Sequence, residues 1–390
     1  MVEFVQAMDF CASVRDGTHD TPKPADSGYK LVTGKHIKNG QIDPSDAYFI
    51  SEDDYNKINE RSLVEKWDVL MSMIGTVGEV AVVKDVPDYA IKNVALFKCG
   101  GSELKGRWLS YYLRTPFAKG HMSGNQKGSS QQFLSLKQLR ELPVPVVEER
   151  KMHRIIDILS AYDDLIENNQ KQIKLLEEAA HRLYKEWFID LRFPGHESTP
   201  IRNGIPEGWE RKSLGQIADV VMGQSPKSEY YNSDKEGLPF HQGVGSYGNR
   251  FVVDDVYSSS FTRIAEAGSI LFSVRAPVGR LNITRNKVVI GRGIAAMNHK
   301  EGLQSLLFYI LKERFFKDNL VGNGSIFASI SKDELLGQSF IVPAPSIACQ
   351  YNDIASAIDK KIEAVDEEIL NLTEARDRLL PKLMSGEIEV

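Results

Sequence analysis

The chain has 390 residues, 42% of them hydrophobic and 26% charged, with a formal net charge of −5. That length predicts two or three domains with real cores, and no apolar run reaches the ~20 residues of a membrane span. The start Met1-Val2-Glu3-Phe4 shows no signal-peptide pattern, and Cys11, Cys99 and Cys349 are scattered and odd in number. A reducing, cytoplasmic setting is therefore expected, with neither a disulfide framework nor a cysteine metal cluster.

The acidity is unevenly spread. Segment 1–147 holds 18 basic and 18 acidic residues, and 192–345 holds 18 and 15. The deficit lies in 148–191, with 7 basic against 10 acidic, and in 346–390, with 5 against 10. A local positive face, rather than a positive total, is what phosphate binding needs, and this distribution permits one.

In chain order, turn chemistry at Asp16-Gly17 and Asn39-Gly40 precedes β-branched runs that predict strands over 67–75, 80–84 and 91–99. A helix is predicted over 108–113, then a Gly/Ser loop near 128, then the exit Pro143-Val144-Pro145. Residues 148–191 follow as a long helix whose seam steps by 3 and 4 through Leu159, Tyr162, Ile166, Asn169, Ile173, Leu176, Ala180, Leu183 and Trp187. Such spacing keeps one apolar stripe on a helix and pairs it with another helix. A linker is expected at 192–205, and Pro206-Glu207-Gly208-Trp209 opens the next domain. Strands are then predicted over 268–274, 280–284 and 287–290, and a helix over 304–316.

The second half repeats the first. Gly17-Thr18 with Pro22 parallels Gly223-Gln224-Ser225-Pro226. Val69-Leu70-Met71-Ser72 with Gly78 parallels Ile270-Leu271-Phe272-Ser273 with Gly279, and Pro143-Val144-Pro145 parallels Pro343-Ala344-Pro345. A second heptad series runs through Ala355, Ile358, Ile362, Val365, Ile369, Leu372, Arg376, Leu379 and Leu383, with Val365 standing where the first has Asn169. A seam Asn commonly fixes register. The reading is an α+β protein with a pseudo-twofold internal repeat: mixed α/β domains at 1–147 and 192–345, each followed by a long helix, at 148–191 and 346–390. Residues 148–190 as a helix would extend roughly 60 Å, approaching two turns of B-DNA.

Two variable domains with a Gly-x-x-Pro-like start, a Gly/Ser loop, a Pro-x-Pro exit and a heptad helix resemble the specificity subunit of type I restriction–modification enzymes. Tyr184-Lys185-Glu186-Trp187-Phe188 and the ending Leu380-Pro381-Lys382-Leu383-Met384-Ser385-Gly386-Glu387-Ile388 are similar to the same family. The resemblance implies two target recognition domains spaced by an antiparallel coiled coil, reading a bipartite, asymmetric site in double-stranded DNA. It implies two methyltransferase subunits and restriction/translocase subunits as partners, with S-adenosylmethionine, ATP and Mg²⁺ held by them rather than by this chain. One departure from that pattern is that the first domain lacks the tryptophan entry seen at Trp209, so a shortened first strand is expected there.

Base edges are read by Arg or Lys at guanine and by Asn or Gln at adenine. In the first domain the candidates are Lys35, His36, Lys38 and Asn39 in one turn, and Gln126, Lys127 and Ser129 in another. In the second they are Gln242, Tyr247, Asn249, Arg250, Arg275, Arg280, Arg292, Asn323 and Ser325. His36, His121 and His241 are expected in turn-rich, surface or DNA-facing positions. The chain has no Gly-x4-Gly-Lys-Ser/Thr phosphate loop and no Asn/Asp-Pro-Pro-aromatic motif, so no catalytic residue is assigned. One alternative is a coiled-coil scaffold that binds only proteins. Another is a metal-dependent nuclease using Asp88, Glu103 and Lys105.

Overall fold

The computed structural model describes residues 3–75, 77–124, 134–315 and 329–390. They fall into two compact units, 1–169 with 368–390 and 170–367. The central helix Glu149–Tyr184 and the C-terminal helix Pro345–Ser385 each contribute residues to both. The units therefore cut across the four-segment division drawn from the sequence.

In the first unit a four-stranded antiparallel sheet runs in the order Ser13–Asp16, Val94–Lys98, Val69–Ser72, Val80–Val82. Val69, Leu70 and Met71 are fully buried. That is why this strand reads as a continuous apolar run rather than as an alternation. A second sheet places Tyr29–Val32 between Phe49–Ile50 and Tyr89–Ile91, the latter pairing parallel. The first strand, Glu3–Gln6, pairs with Pro143–Val146. The second unit repeats the plan. Its four-stranded sheet is Ala218–Met222, Ile294–His299, Ile270–Ser273, Leu281–Ile283, and its parallel pair is Leu238–His241 with Val288–Ile290. Its first strand, Glu210–Ser213, pairs with Ser339–Val342. Both first strands have four residues. The expected shortening is thus corrected: the first strand is as long as its counterpart without a tryptophan entry.

The repeat extends to single bonds. Ser72 Oγ accepts from Glu79 N at 2.9 Å, and Ser273 Oγ accepts from Arg280 N at 2.8 Å. Gly78 N donates to Ser72 O and Gly279 N to Ser273 O, both at 3.0 Å. Each glycine has φ near +90°, where an L side chain is strained.

Within each unit the helices pack antiparallel. In the first, Met152, Ile155, Ile156 and Leu159 share a core with Leu380, Leu383 and Met384, while Asp163 meets Arg376 at 2.7 Å. Residue numbers rise along one helix as they fall along the other. In the second, Ala180, Tyr184 and Trp187 share a core with Ile347, Ala348, Tyr351 and Ala355. All the seam residues proposed from the sequence are buried or half-buried: Leu159, Ile166, Asn169, Ile173, Leu176, Leu183, Ile358, Ile362, Val365, Ile369, Leu372 and Leu379. The apolar residues left exposed on these helices, Leu165, Leu175, Ile354 and Leu370, lie off that register. Asn169 is 6% exposed, and its Nδ2 has no partner among the described residues.

Predicted strands prove shorter at their ends, and 91–99 proves to be two strands broken at Lys92-Asn93. The predicted helices are Glu103–Arg114 and Gln304–Phe315. The linker is ordered: Ile201–Arg202 and Ile205–Pro206 form a hairpin around Asn203-Gly204, both at positive φ. No described helix is long and apolar enough to cross a membrane.

Candidate nucleic-acid interface

The second unit's candidates separate into two places. Tyr247, Asn249, Arg250 and Arg280 line a cleft of about 610 Å³ beside the central helix, together with Lys174, Glu177 and Phe308. Gln242 and Arg292 line another of about 620 Å³ with Ser225, Pro226 and Lys227. Arg275 is exposed just beyond the strand Ile270–Ser273.

The helix-side cleft contains a structural clasp. Arg250 is only 3% exposed. Its guanidinium donates to Glu177 at 3.3 Å and to Asp359, and lies 4.2 Å over the Phe308 ring. Burial works to lower its pKa, but Asp359, Tyr309 and Glu177 outweigh that and raise it, so the cation stays charged. Arg250 is therefore corrected from a base reader to an internal tie between the domain and its helices. A guanidinium engaged by two carboxylates has no fork left for a guanine edge. Arg285 makes a similar tie to Asp366, 4.0 Å over Phe251.

The other cleft is a corner where three strands end. Gly291 N donates to His241 O at 2.8 Å, Gly293 N to Gln242 O at 3.1 Å, and Gln224 N to Ile290 O at 2.9 Å. Arg292 N donates to Ser225 Oγ at 3.2 Å. A Cβ on Gly223 would lie 2.1 Å from Gly291 O, and one on Gly293 would lie 2.4 Å from Gln242 O. Only glycine allows this close backbone packing. The result is the segment Gly291-Arg292-Gly293 held rigidly, with Arg292 and Gln242 both exposed. Among the described residues neither side chain has a hydrogen-bond partner. This is an Arg/Gln pair on a closely held backbone, with both side chains open to solvent.

In the first unit the turn candidates are less available. His36 is 4% exposed: its Nδ1 accepts from Thr33 N at 2.8 Å and its Nε2 faces Asp46 at 3.1 Å. Burial, only partly offset by Asp46, lowers its pKa. His36 is thus corrected to a buried cap of its own turn. Lys35 pairs with Asp46 at 2.9 Å, whereas Lys38 and Asn39 are exposed. His241 is likewise corrected: it is 1% exposed and bonded to Ser246 and Asp254. His121 lies on the helix Pro116–Gly124, not in a loop, edge-on to Phe117. Gln126, Lys127, Ser129, Asn323 and Ser325 lie outside the described residues. Glu103 opens a helix and accepts from Arg107 at 2.8 Å, an ordinary (i, i+4) pair. No group of three His, Cys, Asp or Glu able to hold a metal ion occurs among the described residues.

Two copies of one fold, each continuing into a helix seam, define a duplicated recognition protein. The model of the type I restriction modification DNA specificity domain matches residues 2–178 and again 206–374. The chain belongs to that family, and its role is sequence specificity on DNA. A specificity subunit assigned to the type I restriction enzyme MjaX of Methanocaldococcus jannaschii is 29% identical over 408 residues, covering 100% of this chain and 94% of the relative. The MjaIX specificity subunit of the same organism is 26% identical over 347 residues, covering 83% and 78%. The crystal structure of a type I restriction–modification S subunit from M. genitalium shares the fold, with a TM-score of 0.55 at 16% identity over 98% of this chain and 96% of that one.

Proposed function

We propose that this chain is the DNA-reading and assembly subunit of a type I restriction–modification complex, with no reaction chemistry of its own. Its two domains, 1–147 and 192–345, each read one half of a bipartite, asymmetric site, and the paired helices set the gap. Two methyltransferase subunits dock on this scaffold and modify an adenine near each half-site after flipping it from the stack. Restriction subunits join the same complex. S-adenosylmethionine, ATP and Mg²⁺ belong to these partners.

The observation that carries the reading is the glycine-cradled corner presenting Arg292 and Gln242. Arginine suits a guanine edge and glutamine an adenine edge, and a fixed backbone sets the point from which both side chains reach out. The clasp arginines, by contrast, are engaged inside the fold. The test is binding by the chain reconstituted with its methyltransferase, on target and scrambled duplexes across a salt series. The expected result is preference for one duplex and steep weakening with salt. Arg292→Ala should cost about tenfold or more in discrimination at one base position. A scaffold that binds only proteins would show no duplex preference, and the Arg292→Ala variant would match the parent.

A further inference from the structure

We infer that the first domain reads its half-site through His19, Lys92 and Asn93, a corner built like that of Arg292 and Gln242, rather than through the turn 35–41. The inference rests on the reading just given for the second domain.

The two corners share their backbone bonds. Gly17 N donates to Val94 O at 2.9 Å as Gly223 N does to Ile294 O at 2.9 Å. Thr18 N donates to Ile91 O at 3.0 Å as Gln224 N does to Ile290 O at 2.9 Å. Lys92 N donates to Val32 O at 2.9 Å as Gly291 N does to His241 O at 2.8 Å. These matches put His19 at the place of Ser225, Thr33 at that of Gln242, and Lys92-Asn93 at that of Gly291-Arg292-Gly293. Close packing recurs as well: a Cβ on Gly17 would lie 2.4 Å from Ile91 O.

What the corner presents is suited to a base edge. Asn93 adopts φ +53, a left-handed conformation that asparagine tolerates better than most residues and that turns the chain at the tip between two strands. Its side-chain amide lies 2.8 Å from His19 Nδ1, and His19 Nε2 lies 3.0 Å from Asp16, which also receives Arg61. The imidazole is thereby fixed from both sides, and it fixes the amide in turn. With the imidazole proton on Nε2 toward Asp16, Nδ1 accepts from the Asn93 amide, whose oxygen and second N–H are left to meet a base edge. Lys92 donates to Thr21 beside it, which places a cation within reach of a phosphate. In the turn 35–41 His36 is buried, Lys35 is engaged by a carboxylate, and the exposed Lys38 and Asn39 have no side-chain partner among the described residues to hold them.

The experiment maps base preference in both half-sites for the reconstituted complex, using randomised duplexes and methylation as the readout. Asn93→Gly removes the side chain without straining the left-handed backbone, and Asn93→Asp keeps that backbone while replacing a donor by an acceptor. Each variant's thermal midpoint is compared with the parent to confirm folding. Expected is a loss of about tenfold or more in preference at one position of one half-site, with the other half-site unchanged. Arg292→Ala should do the reverse. If Arg292→Ala alters its half-site while both Asn93 variants fold and leave the other intact, this inference is overturned and the general reading stands. If neither set alters any base preference, the general reading falls too.

Discussion

The two units fasten a domain to its helices at the same place but with different chemistry. In both, a tyrosine from the helix following the sheet donates to an aspartate of a long helix: Tyr111 to Asp163 at 2.9 Å, and Tyr309 to Asp359 at 3.0 Å. In the first unit the charge on Asp163 is answered by two arginines, the half-buried Arg114 at 3.4 Å and the buried Arg376 at 2.7 Å. In the second, one nearly inaccessible arginine, Arg250, answers both Asp359 and Glu177. The corresponding clefts differ as well, about 40 Å³ against about 610 Å³. A duplicated fold thus conserves the location of a tie while its charges are redistributed. Distributed ties tolerate the loss of one member, whereas a single buried charge does not.

That contrast yields a ranking. Arg250→Ala leaves Glu177 unanswered and Asp359 with Tyr309 alone, and should destabilise the second unit by about 2–3 kcal/mol, read by denaturant unfolding with hydrogen exchange to localise the loss. Arg376→Ala should cost the first unit only about 1–2 kcal/mol, because Tyr111 and Arg114 still donate to Asp163. Equal losses would break the distinction between distributed and single ties.

Gly291→Ala tests the corner rather than the tie. Its Cβ would meet Gln242 Cα and Ser225 Oγ, each at 3.0 Å, so the variant should blunt base preference in one half-site by several-fold with little change in overall stability. A large drop in stability with base preference intact would make the corner merely structural.

The smallest effect concerns acid. Burial works to raise the pKa of Asp254, but hydrogen bonds from His241 and Asn286 outweigh it and hold the carboxyl below its ordinary value of 3.8. A depressed folded pKa contributes stability that is complete above the unfolded value and is lost as pH falls through the folded one. Asp254→Asn should therefore lower stability at neutral pH by about 1 kcal/mol and flatten its decline below about pH 4. A variant with the parent's acid limb would remove Asp254 from that role.

The helix seams were legible because their spacing is a direct image of helix geometry: the aligned 3,4 steps fall on buried or half-buried positions, while helix residues that face the domain cores, such as Ile155, Tyr184 and Tyr351, lie outside them. The repeated Ser/Gly hairpins were legible because a left-handed turn demands glycine at a fixed distance from the serine. The first domain's corner was not. Lys92-Asn93 sits inside an apolar, β-branched stretch that reads as one strand over 91–99, and only the left-handed φ of Asn93 reveals two. The polar pair interrupting that run was the available signal. Arg250 was misplaced for a different reason: sequence gives residue type but not burial, and its partners are 73 and 109 residues away. The helix Glu52–Ser62 was missed although Ser51, capping Asp54 N ahead of an acidic first turn, announces it.

The central claim is that two domains read separate halves of one DNA site. It is tested most directly by exchanging residues 1–147 for the first domain of another family member and mapping methylated adenines on DNA treated with the reconstituted complex. The account predicts a two-part methylated sequence in which one half changes and the other half and the gap persist. A change in both halves, or a map with no two-part sequence, would contradict it.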